Sequence, residues 1–291
     1  MNILISINDD FCKMAFNTIN SIHLYNECKL DVYLLYEYLS EQTINYLNER
    51  INSSINAKLH LLKYDFSKRN FPINIRHISR ETYFRLYAPY ILPKNLDKIL
   101  YIDCDTICQG DISDFYNTKL DNYIFAGVEN FDPNPKFKAY INNKLGLPLD
   151  NQYINAGVLM INLKKYREFT DIESIDRFIV DNYDNLHCQD QDVINKMFYG
   201  YIKVLPDIYN YQINHIIEEE KLDYDNKKII HYLSPPKPWL IGYVRVFHAV
   251  PYYRYLLKIK EYDLLNTLML AHIKNKELDI FKIKKLLNLV I

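Results

Sequence analysis

Over the first 63 residues, apolar runs of strand length alternate with segments of helical period, and this alternation constrains the fold more than any other feature. Asn2 to Ile7 is a short apolar run, and Phe11, Ala15, Ile19 and Ile22 then recur at three- and four-residue intervals. Leu30 to Tyr36 is strand-like again, Ser40 can cap a helix running to about Arg50, and Lys58 to Lys63 makes a third strand. The order βαβαβ predicts a parallel sheet covered by helices, since parallel neighbours need a crossover and a helix supplies it. Ligands of such open sheets sit beyond the carboxyl ends of the strands, so the residues just after each strand bear most on function.

Two acidic elements fall there. Asn8-Asp9-Asp10 follows the first strand, and Asp103-Cys104-Asp105 ends the apolar run that begins at Lys98. Strand side chains alternate between faces, so Asp103 and Asp105 are expected on one side with Cys104 pointing away. Two carboxylates so close repel unless a cation lies between them, and a divalent ion bridging to a phosphate-bearing ligand is the cheapest such partner. The competing reading is a solvated turn, where Asp is common. No Gly-x-Gly-x-x-Gly follows the first strand, and the whole chain has six glycines, so a dinucleotide or P-loop site lacks its phosphate cradle. A bound nucleotide must then be held by metal and side chains.

Charge and cysteine usage exclude other classes. A formal net charge of −1 and a pI near 6.7 argue against general nucleic-acid binding, which needs a basic surface to displace counterions. At 291 residues and 49% hydrophobic content, one large α/β domain over 1–250 with an appendage over 251–291 fits best. Five cysteines without a Cys-x-x-Cys pair indicate neither a disulfide framework nor a zinc knuckle, and free thiols suit a reducing compartment. The amino terminus shows no signal-like pattern and no apolar run is long enough to span a bilayer, so the expected location is cytoplasmic.

The second half supplies partners for the acidic pair. Ile229 to Leu233 is an apolar strand carrying His231, followed by Ser234-Pro235-Pro236-Lys237-Pro238-Trp239. A histidine in a strand is commonly a hydrogen-bonded core residue, yet the prolines stiffen a loop on which Lys237 and Trp239 offer a cation and an aromatic face to an anion. Gln189-Asp190-Gln191-Asp192 opens a helix whose Val193, Ile194, Met197 and Phe198 face a core, and acids there also suit the positive end of a helix dipole. From Tyr252 to Ile291, eight Lys or Arg stand against four Asp or Glu, with apolar residues frequent enough for amphipathic helices. Such an element either lies peripherally on an anionic membrane surface, or packs on the catalytic domain, or pairs two subunits.

Five separated blocks over about residues 1 to 250 together resemble glycosyltransferase family 8, in its bacterial lipopolysaccharide-modifying, glycogenin-related branch. They are Asn74 to Ser79 leading to Tyr83 and Arg85, Leu100 to Asp105, Asn155 to Leu163, Gln189 to Asp192, and His231 through Trp239. The resemblance implies a GT-A fold, a Rossmann-like mixed, mostly parallel sheet flanked by helices, here with a C-terminal helical extension. It implies a retaining, metal-dependent transfer of galactose or glucose from a UDP-sugar to a glycan hydroxyl. In that pattern Asp103, Asp105 and His231 hold Mn2+ or Mg2+, and Lys237 contacts the donor phosphates. Asn8 and Asp10 fall where relatives contact uridine, and Arg85, Asn155 and Asp190 where they hold the donor sugar. Gln191 is expected near the anomeric carbon. An amide is a poor nucleophile, which favours same-face displacement through an oxocarbenium-like species, with the Gln191 carbonyl dipole stabilising it.

Two departures stand out. Ser234 occupies the glycine position of the family pattern His-x-x-Gly-x-x-Lys-Pro-Trp, and Asn130 stands where galactose-using relatives often carry an aspartate, which leaves glucose and galactose both open. The same Asp-x-Asp would suit a nucleotide-diphosphate hydrolase, but no further acid or histidine is placed as its base. A catalytically silent UDP-sugar or glycan-binding protein is the non-enzymatic alternative, and it would tolerate loss of Asp103, Asp105 or His231. Acceptor recognition is expected from the loops between Phe131 and Asp150 and from the C-terminal region.

Overall fold

The first strand, β1 (Asn2–Ser6), pairs in parallel with β2 (Leu30–Tyr36), and β2 pairs in parallel with β3 (Ala57–Lys63). The helices Cys12–His23 and Glu41–Ser54 make the two crossovers, the second capped by the Ser40 hydroxyl on the Thr43 N–H. The computed structural model describes all residues except 70, 73–79, 149, 151, 242, 244, 275–279 and 291, so the block Asn74 to Ser79 lies outside the described residues.

Further strands are β4 (Lys98–Ile102), β5 (Thr106–Cys108), β6 (Phe125–Glu129), β7 (Ile154–Asn162), β8 (Ile202–Leu205), β9 (Tyr211–Gln212) and β10 (Ile229–His231). Seven of them form one sheet in the order β3-β2-β1-β4-β7-β6-β8. The parallel order read from the first three strands holds through β4, and the sheet as a whole is the mixed, mostly parallel one that the family resemblance implies. β7 runs antiparallel to both β4 and β6, so the sheet is mixed. The period of an apolar run marks a strand but carries no direction, and β7, buried along eight of its nine residues, reads alike either way.

Two apolar layers cover the sheet. Leu4, Tyr101, Leu159 and Ile161 belong to one, with Phe84, Tyr87 and Tyr166 from helices, while Ile5, Leu34, Leu100 and Met160 belong to the other, with Ile19 and Leu47. Each such side chain taken fully out of water contributes about 1.5–3 kcal/mol before entropy is charged against it.

A second sheet, β5-β10-β9, hangs from the carboxyl end of β4. β5 and β10 are antiparallel with Thr106 opposite His231, and β10 and β9 are parallel with His231 beside Gln212. A third apolar cluster covers this sheet, and the C-terminal helices Val250–Lys258, Tyr262–Lys274 and Ile280–Val290 contribute Tyr252, Leu256, Leu265, Leu268, Leu286 and Val290 to it. One face of the basic extension therefore packs on the small sheet. Among the described residues, no helix is long and apolar enough to cross a membrane.

Candidate active site

The link between the two sheets builds the site. β4 stops at Ile102, and Asp103-Cys104-Asp105 forms a turn into β5, so the alternation expected of an extended strand does not operate there. The carboxylates converge for another reason, because each is pinned to a different sheet. The Asp103 N–H donates to Gly157 O on β7 at 2.7 Å, and Asp105 O accepts the Tyr232 N–H just after β10 at 2.9 Å. That register sets His231 beside Asp105. One ligand atom from each of Asp103, Asp105 and His231 lies within 4.8 Å of the others.

Cations and hydroxyls hold the acids. Arg85, in the helix Phe84–Ile91, is 3% exposed and stacks its guanidinium 4.0 Å from the centre of the Tyr101 ring. Its Nη2 meets Asp103 Oδ1 at 3.1 Å, its Nε meets Asp190 Oδ2 at 3.0 Å, and Nη1 donates to Ala156 O. The Tyr101 hydroxyl donates to the same Asp103 oxygen at 2.5 Å. Lys237 Nζ reaches Asp105 Oδ2 at 2.7 Å and also donates to Tyr232 O. Burial works against the charge on Asp105, but Lys237 and His231 outweigh it and hold the carboxyl well below the usual range. Burial pushes the Asp190 carboxyl up to about 6, against the pull of Arg85.

His231 is 1% exposed, so it is a buried, hydrogen-bonded histidine and a site residue at once. Its Nδ1 meets Asn210 Oδ1 at 2.8 Å, and its Nε2 lies 3.0 Å from Asp105 Oδ1. That oxygen is buried and has no hydrogen-bond donor aligned on it. A buried anionic oxygen beside an imidazole nitrogen, with a second carboxylate in reach, is a donor set that fits Mn2+ or Mg2+. Gly157 keeps the space open: a Cβ built there would meet Asp103 Oδ2 at 2.6 Å and His231 Cε1 closer still. Asp103, Asp105 and Asp190 outnumber Arg85 and Lys237 by one charge, which a divalent ion would reverse.

Side-chain amides line the other end. Asn155 Oδ1 accepts from the Gly157 N–H at 3.0 Å and from Asn210 Nδ2 at 2.9 Å, while its Nδ2 donates to Asn130 Oδ1 and Gln191 Oε1, both at 3.1 Å. Asn155 thus has every hydrogen-bonding position committed to protein. Gln191 Oε1 also accepts the Ala156 N–H at 2.9 Å. Both lone pairs of that carbonyl are taken within the protein, and its NH2 group lies 3.4 Å from Asn130 Oδ1.

The remaining expected residues are placed as follows. Asn8 caps a short turn after β1 by accepting the Asp10 N–H at 3.1 Å, and Asp10 is exposed at the same sheet edge. The Cys104 thiol is buried in an apolar layer, and burial raises it well above its ordinary value, so its side chain offers nothing to a ligand. Ser234 is exposed with φ 57, the left-handed conformation that a glycine at this position adopts freely. Trp239 packs against Tyr232 and Tyr252 instead of presenting its face to an anion, because the third cluster claims the ring. The helix at Asp190–Met197 starts as expected, but its acids do not cap it: Asp190 turns to Arg85, and Asp192 accepts from Tyr140, Tyr153 and the Cys188 N–H. Spacing does not single out Tyr101 and Asn210, which complete the site; both are recognised only through contacts made by folding.

A mixed sheet flanked by helices, with a helical C-terminal part, is the GT-A architecture of glycosyltransferases, and comparison agrees. The profile of glycosyl transferase family 8 matches residues 2–241, and the chain belongs to that family. A lipopolysaccharide 1,2-glucosyltransferase of Escherichia coli K12 is 32% identical over 189 residues, covering 62% of this chain and 54% of the relative. The glycosyltransferase GlyF of Streptococcus pneumoniae is 28% identical over 231 residues, covering 76% and 53%. The chain thus spans about half the length of these two relatives. The crystal structure of the galactosyltransferase LgtC with donor and acceptor sugar analogues superposes with a TM-score of 0.74 at 23% identity, over 92% of this chain and 96% of that one.

Proposed function

We propose that this protein transfers a hexose, glucose or galactose, from a UDP-sugar to a hydroxyl of a glycan acceptor of the lipopolysaccharide, capsule or surface-glycoprotein kind, with retention at the anomeric carbon. The observation that carries this reading is the convergence of Asp103, Asp105 and His231 around the gap kept open by Gly157, with Lys237 alongside. When bound there, a divalent cation would neutralise charge on the departing diphosphate as a Lewis acid. Lys237 is placed to trade its Asp105 contact for a phosphate oxygen, and Asn8 and Asp10 border the side where uridine would lie. Arg85 holds Asp103 and Asp190 in fixed orientation, so that Asp190 can accept sugar hydroxyls without strain of its own.

Asp190 is tied to a guanidinium and Gln191 is an amide, so neither suits covalent catalysis, and displacement on one face of the sugar remains the favoured route. The acceptor would enter from the side of Asn130, where a cavity of about 230 Å³ is lined by Asp132, Phe137, Gln152 and Tyr153, a polar and aromatic lining suited to a sugar ring. The exposed Leu264, Leu270 and Leu287 and the exposed Lys284 would let the extension rest on an anionic membrane, which co-sedimentation with anionic vesicles checks.

The deciding test is UDP release from UDP-glucose and, separately, UDP-galactose with Mn2+ and no acceptor, with Asp103→Asn as control. Slow release from one donor, lost in the variant, supports transfer. Mn2+-dependent UDP binding without release from either donor favours a silent binding protein, and a sugar adduct trapped on Asp190 overturns the one-face route.

A further inference from the structure

We propose that Asn210 is a positioning residue that keeps the His231 proton on Nδ1 and so turns the lone pair of Nε2 toward the cation site. The inference rests on the metal-dependent reading above, but its core is a statement about one proton. It follows from hydrogen bonds whose direction is fixed by backbone groups.

A backbone N–H can only donate. The Gly157 N–H meets an Asn155 side-chain atom at 3.0 Å, so that atom is the carbonyl oxygen. The Ala156 N–H fixes Gln191 Oε1 in the same way at 2.9 Å, and the other Asn155 atom faces that oxygen at 3.1 Å, as a nitrogen should. The Asn155 oxygen has a second neighbour from Asn210 at 2.9 Å, which must be the Asn210 nitrogen. The Asn210 oxygen is then the atom 2.8 Å from His231 Nδ1. An amide oxygen carries no hydrogen, so Nδ1 must bear one.

In the neutral imidazole that a cation requires, the Nδ1–H is the single N–H, so Nε2, 3.0 Å from Asp105 Oδ1, presents its lone pair to the cation site. Without the Asn210 oxygen the proton would be better placed on Nε2, donated to Asp105, and the ligand atom would be blocked. Asn155, Asn210 and His231 are 4%, 1% and 1% exposed, so water cannot replace any partner in the chain. Histidine ligands held through their other nitrogen typically lose ~10–100-fold in metal affinity when that partner is removed.

The experiment uses the full chain, metal-free and labelled with 15N-histidine, with the His231 signals assigned by their loss in His231→Gln. Mn2+ affinity in the presence of UDP is measured by calorimetry on the same proteins. Wild type is expected to show Nδ1 protonated. Asn210→Leu is expected to move the proton to Nε2 and weaken Mn2+ binding ~10–100-fold. Asn210→Asp, which still turns an oxygen to Nδ1 but gives up the N–H that Asn155 Oδ1 accepts, is expected to keep the proton on Nδ1. A neutral wild-type ring protonated on Nε2, or an Asn210→Leu protein that keeps Nδ1 protonated and binds Mn2+ like wild type, overturns the proposal. Should Asn210→Leu fail to fold, the wild-type and Asn210→Asp spectra decide alone, and Nε2 protonation in either is the refuting result. Absence of Mn2+ binding by wild type would refute the metal-dependent function, while the nitrogen spectra still decide where the proton sits.

Discussion

Replacing Gly157 by alanine adds one methyl group at the centre of the site. The new Cβ would lie 2.6 Å from Asp103 Oδ2, 3.1 Å from Asn155 Oδ1, and nearer still to His231 Cε1. Ordinary contact begins near 3.4 Å, so Asp103 Oδ2 must retreat by about 0.8 Å and the imidazole by more. None of these groups can swing away cheaply. Asp103 is tied to Arg85 and Tyr101, His231 to Asn210, and Asn155 to four partners. Overpacking of this size costs about 1–3 kcal/mol of stability. Metal–ligand distances tolerate only about 0.2 Å, so the loss of binding should exceed the loss of stability. The assay is thermal unfolding with and without Mn2+ plus UDP. A ligand held at a hundred times its dissociation constant stabilises by about 2.7 kcal/mol, and that increment should vanish in Gly157→Ala while the protein remains folded. A variant that keeps the full Mn2+- and UDP-dependent increment would falsify the placement of the cation in this gap.

Other consequences follow from single side chains. Ser234→Gly, which relieves a left-handed serine, should raise stability by about 0.5–1 kcal/mol, seen as a gain of about 1–3 °C in Tm; a lower Tm would show that the hydroxyl matters more than the backbone. Arg85→Met leaves the carboxylates of Asp103 and Asp190 without their shared cation and should cost about 3–5 kcal/mol in urea unfolding, a loss below 1 kcal/mol contradicting the ion-pair account. Burial pushes Asp192 up to about 6 in spite of the Tyr140 and Tyr153 hydroxyls, above its unfolded value near 4. The folded chain therefore binds the extra proton between pH 4 and 6, and stability should fall as pH rises through that window, by on the order of 2–3 kcal/mol. Asp192→Asn should remove that slope, and an unchanged slope would assign it elsewhere.

Much of this was legible before folding. The first three strands, the two crossover helices and the Ser40 cap follow from local period and capping chemistry, and the βαβαβ order placed Asp103 and Asp105 at a ligand edge. The reversed β7 was not, because direction is decided by connection and packing, not by the residues of the strand. The reason the carboxylates meet was also hidden, since it lies in two pairings with Gly157 and Tyr232 that are far away along the chain. Asn155 and Gln191 were recognisable as site residues, but their partners were not, and those partners show that both carbonyls look inward. Trp239 was misjudged because an aromatic on a loop looks the same whether it greets a ligand or fills a core.

The small sheet also has a bearing on how the protein comes apart. His231 follows Asp105 by 126 positions, and β10 holds it there through three register pairs with β5. A cation gripped from both sides would act as a reversible staple across that long loop, and closing a loop of this length removes several kcal/mol of unfolded-chain entropy in the simplest polymer picture. The C-terminal helices ride on the same cluster as β10, so opening of this sheet would bare them together. Limited proteolysis at the carboxyl end should then slow when the cation is added, and the tail becomes a gauge of whether the catalytic edge is loaded.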